Sequence, residues 1–509
     1  MMKIYTAFFN PAGAVIWPYV EFDEEARRDF LLNKLKKEIS NVEFIGGDII
    51  RDFEEVIDIE DREDIDGILV YALSMSMSPH MPWFLRDTDL SPFKRHPMII
   101  ATDFLGGFPY ILDFCNVADK EKLPVVPVTS SNFEDIRSAL HLLKTIHKMK
   151  GAKILSVEPS ETGDEKHGST HRWKMEFDQN LKTLKEVYGI ELVTITGTEL
   201  NRLYSQVDKN AVEELTQEWI DGASRMVGPN KEDIIVGSRM CLAFEKAVKD
   251  AGAQALIVDF VPVLRGEILA MPCLAVPYLR RKGIVVSGEG DFNSCVVSLI
   301  MYYLTGRMGF INDPVIDTSL EQEWCCHCDP VFRWKGKDGP LAPYELRFAC
   351  HHAAAVPVTE IPINEPFISV ALNVLDKKLA IHQGISSRAV IKEEFYPKEI
   401  REKGFMETLL VRLMEKLPIE IDNAFQTIIT ETVKEERHPG RDKGEINIEE
   451  RACASRYVFD VENAKKIYEN MKDYWHIFGW HRTMVCGDHR EDLFDLAKLL
   501  GLEIIEEDR

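Results

Sequence analysis

The segment Ser287-Gly288-Glu289-Gly290-Asp291 concentrates two carboxylates on a glycine-rich turn directly after the apolar run Ile284 to Ser287. In open α/β sheets, ligands bind in the crevice outside the carboxyl ends of the strands. Glu267 follows the preceding strand, so two successive strand ends can deliver carboxylates to one crevice. Carboxylates gathered in this way hold hard cations, and within hydrogen-bond reach of a substrate they pass protons. Acidic residues after strands are also common helix N-caps. The segment by itself leaves both readings open. Gly288 and Gly290 lack the third glycine of a dinucleotide fingerprint and no P-loop lysine accompanies them, so a nucleotide cofactor is not expected.

The elements that must position these residues follow three rhythms. From Met1 to about Lys150, β-rich runs at Lys3–Phe9, Gly67–Leu73, Pro97–Thr102 and Pro124–Thr129 alternate with helical segments from about Asp23 and Asn132. Strands separated by helices imply a parallel sheet covered on both faces. The pattern restarts at Gly151, with strands expected at Ala152–Val157, Glu191–Ile195, Ala255–Phe260 and Ile284–Ser287. A long polar loop is expected at Ser160–Thr170, and helices at Trp173–Tyr188, Ala211–Ala223, Asp233–Lys249 and Asn293–Thr305. Beyond Arg307 the texture turns to short apolar runs and many prolines, until a helix near Val461–Lys472. A strand at His481–Cys486 follows, then a helix with Leu493, Leu496, Ala497 and Leu500 at i, i+3, i+4 and i+7, and Gly501 stands at its C-cap. The expected fold class is α/β: two successive Rossmann-like parallel-sheet domains, 1–150 and 151–308, and a β-rich C-terminal domain, 309–509.

Composition narrows the function. A chain of 509 residues suggests about three folding units. A formal net charge of -23 repels phosphate backbones, which excludes nucleic acid and anionic membrane as partners. Residues 4–20 carry no charge, but Asn10, Pro11 and Gly13 interrupt them, so a first core strand and turn is the better reading than a secretory signal. No stretch approaches the roughly 20 apolar residues of a transmembrane span. Ten scattered cysteines read as reduced thiols, which points to the cytoplasm.

The stretch from Glu267 through Asp291 to Phe310, with Glu289-Gly290-Asp291, a helix and Leu304-Thr305-Gly306, resembles the segment of L-fucose isomerase that holds its glutamate and aspartate metal ligands. The separation 291 − 267 = 24 fits that segment. Gly479-Trp480-His481, followed by Gly487-Asp488-His489 and the helix to Leu500, is similar to the family's segment for the third ligand. Weaker similarity includes Glu199-Leu200 and Ser238-Arg239; the whole covers roughly residues 190–330 and 470–505, and the first domain matches only in architecture. The resemblance is to the broad fucose isomerase-like group within the L-fucose/L-arabinose isomerases. It implies Glu267, Asp291 and His481 as metal ligands, Mn²⁺ as cation with Mg²⁺ or Co²⁺ as alternatives, and a homo-oligomer, trimer or hexamer. The activity implied is aldose–ketose isomerisation of a monosaccharide through an enediolate, with Glu267 and Asp291 also serving as the acid/base pair.

Family members of the fucose type carry asparagines shortly before the third-ligand histidine, where this chain has Trp475-His476-Ile477-Phe478-Gly479. The hydroxyl contacts are therefore expected to differ from those of a fucose enzyme. A His-Cys pair in the place of His327-Cys328 belongs, by the resemblance, to the wall of the active site; a buried, hydrogen-bonded histidine is the alternative. Glu289 is a further candidate substrate contact. Trp83, in an aromatic and methionine stretch, is a candidate for a sugar face, against a bland packing role. Cys325-Cys326-His327-Cys328 with Cys350-His351-His352 does not read as a zinc site, because adjacent residues rarely supply separate corners of one tetrahedron. A metal-dependent sugar lyase or transferase on the same scaffold is the runner-up function, and a non-catalytic sugar-binding protein is the third.

Overall fold

The computed structural model describes residues 1–11, 13–51, 55, 59, 62–77, 95–158, 177–258, 268–328, 330–348, 355–389, 453 and 455–509. The chain is a mixed α/β protein. Its first sheet is wholly parallel and comprises β1 (Met2–Phe9), β2 (Val42–Ile50), β3 (Gly67–Ala72), β4 (Met98–Thr102) and β5 (Val125–Thr129), in the order β2-β1-β3-β4-β5. The three central strands are buried almost throughout, which explains why they read as continuous apolar runs rather than as alternation. β2 is an edge strand with alternating exposure, and its Gly46, Gly47 and Asp48 straddle a register shift against β1.

A second parallel sheet takes β6 (Lys153–Glu158), β7 (Glu191–Thr196), β8 (Ala255–Ile257) and β9 (Val285–Ser287), in the order β9-β8-β6-β7. β8 and β9 therefore lie side by side, with Ile257 opposite Ser287. Helix α1 (Phe292–Thr305) leaves the end of β9, ends on the left-handed Gly306 and packs against the helix Phe133–Met149. His141 Nε2 meets the Leu304 carbonyl at 2.8 Å across that contact.

Beyond residue 309 the described chain builds a six-stranded antiparallel barrel. The strands are β10 (Phe310–Asp317), β11 (Gln322–His327), β12 (Pro366–Asn373), β13 (Lys378–Ala389), β14 (Ser455–Val461) and β15 (Arg482–Cys486). They run β12-β15-β10-β11-β14-β13, and β13 closes the ring on β12, while β16 (Glu503–Glu506) adds to β13 in parallel. Val461 ends β14 and the following helix is Ala464–Asp473, so the expected helix near Val461 starts later, after a left-handed Asn463. Buried aromatic rings from the barrel strands and from Trp334 meet in edge contact: Phe310 with Tyr457 at 5.0 Å, Trp334 with Phe367 at 5.6 Å and Phe367 with Phe459 at 5.1 Å. The final helix, Arg490–Leu500, packs back against β5, and one continuous apolar core joins the two parallel sheets and the barrel.

Charge is buried in the barrel as well. His382 on β13 meets Glu507 through Nδ1 at 2.8 Å and Glu323 on β11 through Nε2 at 2.9 Å, and Arg482 on β15 donates to Glu507 at 2.6 Å. All four side chains are out of contact with water. Burial alone would favour a neutral His382, but the two carboxylates outweigh it and raise its pKa to about 10. A folded-state pKa above the ordinary value of 6.5 contributes stability that is fully present below pH 6.5 and is lost as the pH rises through about 10. Urea unfolding of the native chain should therefore show declining stability between those two pH values. His382→Leu, which strands a buried carboxylate, should cost about 3–5 kcal/mol near neutral pH and flatten that dependence.

Candidate metal centre

Three chain segments converge beside the open ends of β8 and β9. The first is the turn after β9. Glu289 and Gly290 both adopt left-handed backbone there, at φ 59° and 69°, and the Gly290 amide donates to the Val258 carbonyl at 3.1 Å. That reversal directs the chain into α1, with Asp291 as N-cap: its Oδ1 accepts from the Ser294 amide at 2.9 Å and its Oδ2 from the Ser294 hydroxyl at 2.7 Å. The second segment is the β10–β11 hairpin, which contributes Asp313 and the strand-terminal His327. The third is Gly479-Trp480-His481, ahead of β15, which pairs with β10 so that Asn312 lies opposite Arg482.

His481 is the hub. Its Nδ1 stands 2.7 Å from Asp291 Oδ2, and its Nε2 lies 3.4 Å from Glu289 Oε2 and 3.3 Å from Asp313 Oδ1. His327 Nε2 is 3.7 Å from the other Glu289 oxygen, and the two imidazole rings meet edge to face at 5.9 Å. Burial would by itself favour a neutral His481, but its contacts with Asp291, Asp313 and Glu289 prevail and hold its pKa well above the ordinary value. Burial likewise opposes a charged Glu289, and the two histidines outweigh it, keeping that carboxyl well below the usual carboxylate range.

The donor set fits a divalent cation. Among the described residues, Glu289, His327 and His481 offer ligand atoms that all lie within 4.8 Å of one another. Nε2 of His481 and Oδ1 of Asp313 are buried and close, yet neither meets a hydrogen-bond partner in good geometry, so the ring nitrogen is aimed between the carboxylates rather than at one of them. Three carboxylates around one imidazole leave an excess of negative charge that a cation offsets. Oxygen and imidazole donors together suit Mn²⁺, Mg²⁺ or Co²⁺, and a carboxylate on the other ring nitrogen is the usual way a metal-binding histidine is oriented.

Of the residues singled out in the sequence, the structure brings Asp291, His481, Glu289 and His327 together. Glu267 lies outside the described residues, immediately before the buried Ile268, and Trp83 also lies outside them. Asp291 is a helix cap through one oxygen, and its other oxygen meets His481. Asp313 is the member that sequence reasoning missed. Asp313-Pro314 has the look of a turn, and only the pairing of β10 with β15 shows that it faces His481. Cys326 and Cys328 do not join the cluster, and Cys350, His351 and His352 lie outside the described residues.

No family model matches this chain, and no curated protein matches it. No helix among the described residues is long and apolar enough to cross a membrane. His481→Ala should abolish tight binding of Mn²⁺, read as free Mn²⁺ by electron paramagnetic resonance. Asp291→Asn, which keeps an acceptor for the helix cap but loses the charge, should weaken it about 10- to 100-fold with little change in melting temperature.

Proposed function

We propose that this chain is a metal-dependent aldose–ketose isomerase of the L-fucose isomerase-like group, acting on a monosaccharide through an enediolate intermediate. The observation that carries the reading is the convergence on His481 of carboxylates from the end of β9 and from β10, in a donor set that fits Mn²⁺. The two parallel sheets and the barrel support the finer architecture, Rossmann-like domains 1–150 and 151–308 followed by a β-rich domain 309–509. A cytoplasmic homo-oligomer, trimer or hexamer, belongs to the same proposal.

In this reading, as the resemblance implies, Glu267, Asp291 and His481 hold the cation, with Mg²⁺ or Co²⁺ as substitutes. Asp291 would then exchange its contact with His481 Nδ1 for the cation, since the donors now within reach of one another among the described residues are Glu289, His327 and His481. When bound, the cation supplies positive charge opposite the negative charge that develops on two adjacent substrate oxygens. Glu267 and Asp291 also serve as the acid/base pair for the carbon-bound and oxygen-bound protons. Glu289 and His327, which meet beside His481, are the candidate contacts for sugar hydroxyls, and Trp83 is a candidate for the sugar face.

Turnover of L-fucose, L-arabinose, D-arabinose and acid-substituted sugars by EDTA-treated protein should be absent and should return with Mn²⁺. Glu267→Gln should lose about 10²- to 10⁴-fold in kcat while still binding Mn²⁺. A fully active Glu267→Gln would sink the assignment. Failure of every sugar to interconvert, with Mn²⁺ binding that Asp291→Ala removes, would point instead to lyase or transferase chemistry.

A further inference from the structure

We propose that Trp480 and Trp475 form a stacking platform that captures the substrate as a closed pyranose ring beside the His481 cluster. The inference deepens the isomerase reading and rests on it only for the identity of the ring as that of the substrate. The two indoles are stacked, with centroids 5.7 Å apart and planes 30° from parallel, and Trp480 meets the His481 ring at 5.5 Å and 69°. About half of each side chain faces solvent, 51% for Trp475 and 47% for Trp480. Single exposed apolar residues need no explanation, but two adjoining indoles at the rim of a buried charged site are a different arrangement.

The platform is held rigidly. Trp475–Phe478 is a single helical turn whose end is pinned from three sides. Asn373 Nδ2 donates to the Ile477 carbonyl at 2.8 Å, Phe478 is buried, and Arg482 Nη1 donates to the Gly479 carbonyl at 3.2 Å. Gly479, at φ 65° and ψ -155°, reverses the chain in a conformation that L side chains rarely adopt, and so brings Trp480 back over Trp475.

The ligand class follows from what the two neighbouring surfaces offer. A pyranose has an edge of hydroxyls and a face of C–H groups. The carboxylates and imidazoles suit the hydroxyls, and an indole suits the C–H face. A purely ionic ligand would leave the indoles uncovered, and an apolar one would leave the charges unpaired. Trp480 meets the His481 ring edge to face, so a ring resting on the solvent-facing side of the indoles lies beside the cluster and can turn its hydroxyls toward it.

The test uses the full chain in EDTA and saturation-transfer NMR with methyl L-fucopyranoside and methyl L-arabinopyranoside, which cannot open, beside L-fucitol and L-arabinitol, which cannot close. Transfer should be strongest at the C–H protons of one ring face. Trp480→Ala should weaken pyranoside binding about tenfold, and Trp480→Phe should retain most of it, with the alditols unaffected by either change. Equal pyranoside binding by Trp480→Ala and the native chain, or none by the native chain, overturns the platform. So does a change of oligomeric state in Trp480→Ala by sedimentation, which would mean that a second copy of the chain covers the indoles. Sugar turnover measured in parallel separates the two ideas: pyranoside binding that needs Trp480 without any turnover overturns the isomerase reading alone, and Mn²⁺-dependent turnover without it overturns the platform alone.

Discussion

A guanidinium taken out of water requires a carboxylate at contact distance, and Arg482 meets that requirement through Glu507 inside the barrel. The rest of the site hangs on this pairing. Arg482 also donates to the carbonyls of Gly479 and His481, and its own carbonyl accepts from Asn312, so the same residue fixes the turn on one side and joins β15 to β10 on the other. His382 belongs to the same network. Held between Glu507 and Glu323, it ties β13 and β11 to the charge that Arg482 answers.

Two neighbouring residues thus serve two different electrostatic environments. Arg482 points into the barrel, where every charge is matched, and His481 points toward the ends of β8 and β9, where carboxylates outnumber cations. A fully matched network gives rigidity, while an unmatched one gives affinity for an incoming cation. Placing them side by side lets the rigid one aim the other.

Much of the α/β part was legible because its strands are buried on both faces and read as unbroken apolar runs. The pattern predicts Gly67–Leu73 where Gly67–Ala72 is found, and Pro97–Thr102 where Met98–Thr102 is found. β2 was not legible, since Gly46, Gly47 and Asp48 interrupt both the apolar/polar alternation and any apolar run in its sequence. In the site, the Glu289–Asp291 turn announces itself by composition, and His481 enters only by resemblance. Asp313 was out of reach, because its role depends on strand pairing across the barrel, and such pairing leaves no local pattern in the chain.

Asp291 and His481 are 190 positions apart, and their contact exists only once β10, β11 and β15 have closed around one another. Bringing together groups so distant along the chain is entropically costly and comes late in folding. A ligand that needs both side chains therefore finds no foothold on the unfolded polypeptide. Its whole binding free energy goes to the native state, so occupancy and resistance to unfolding rise together with ligand concentration.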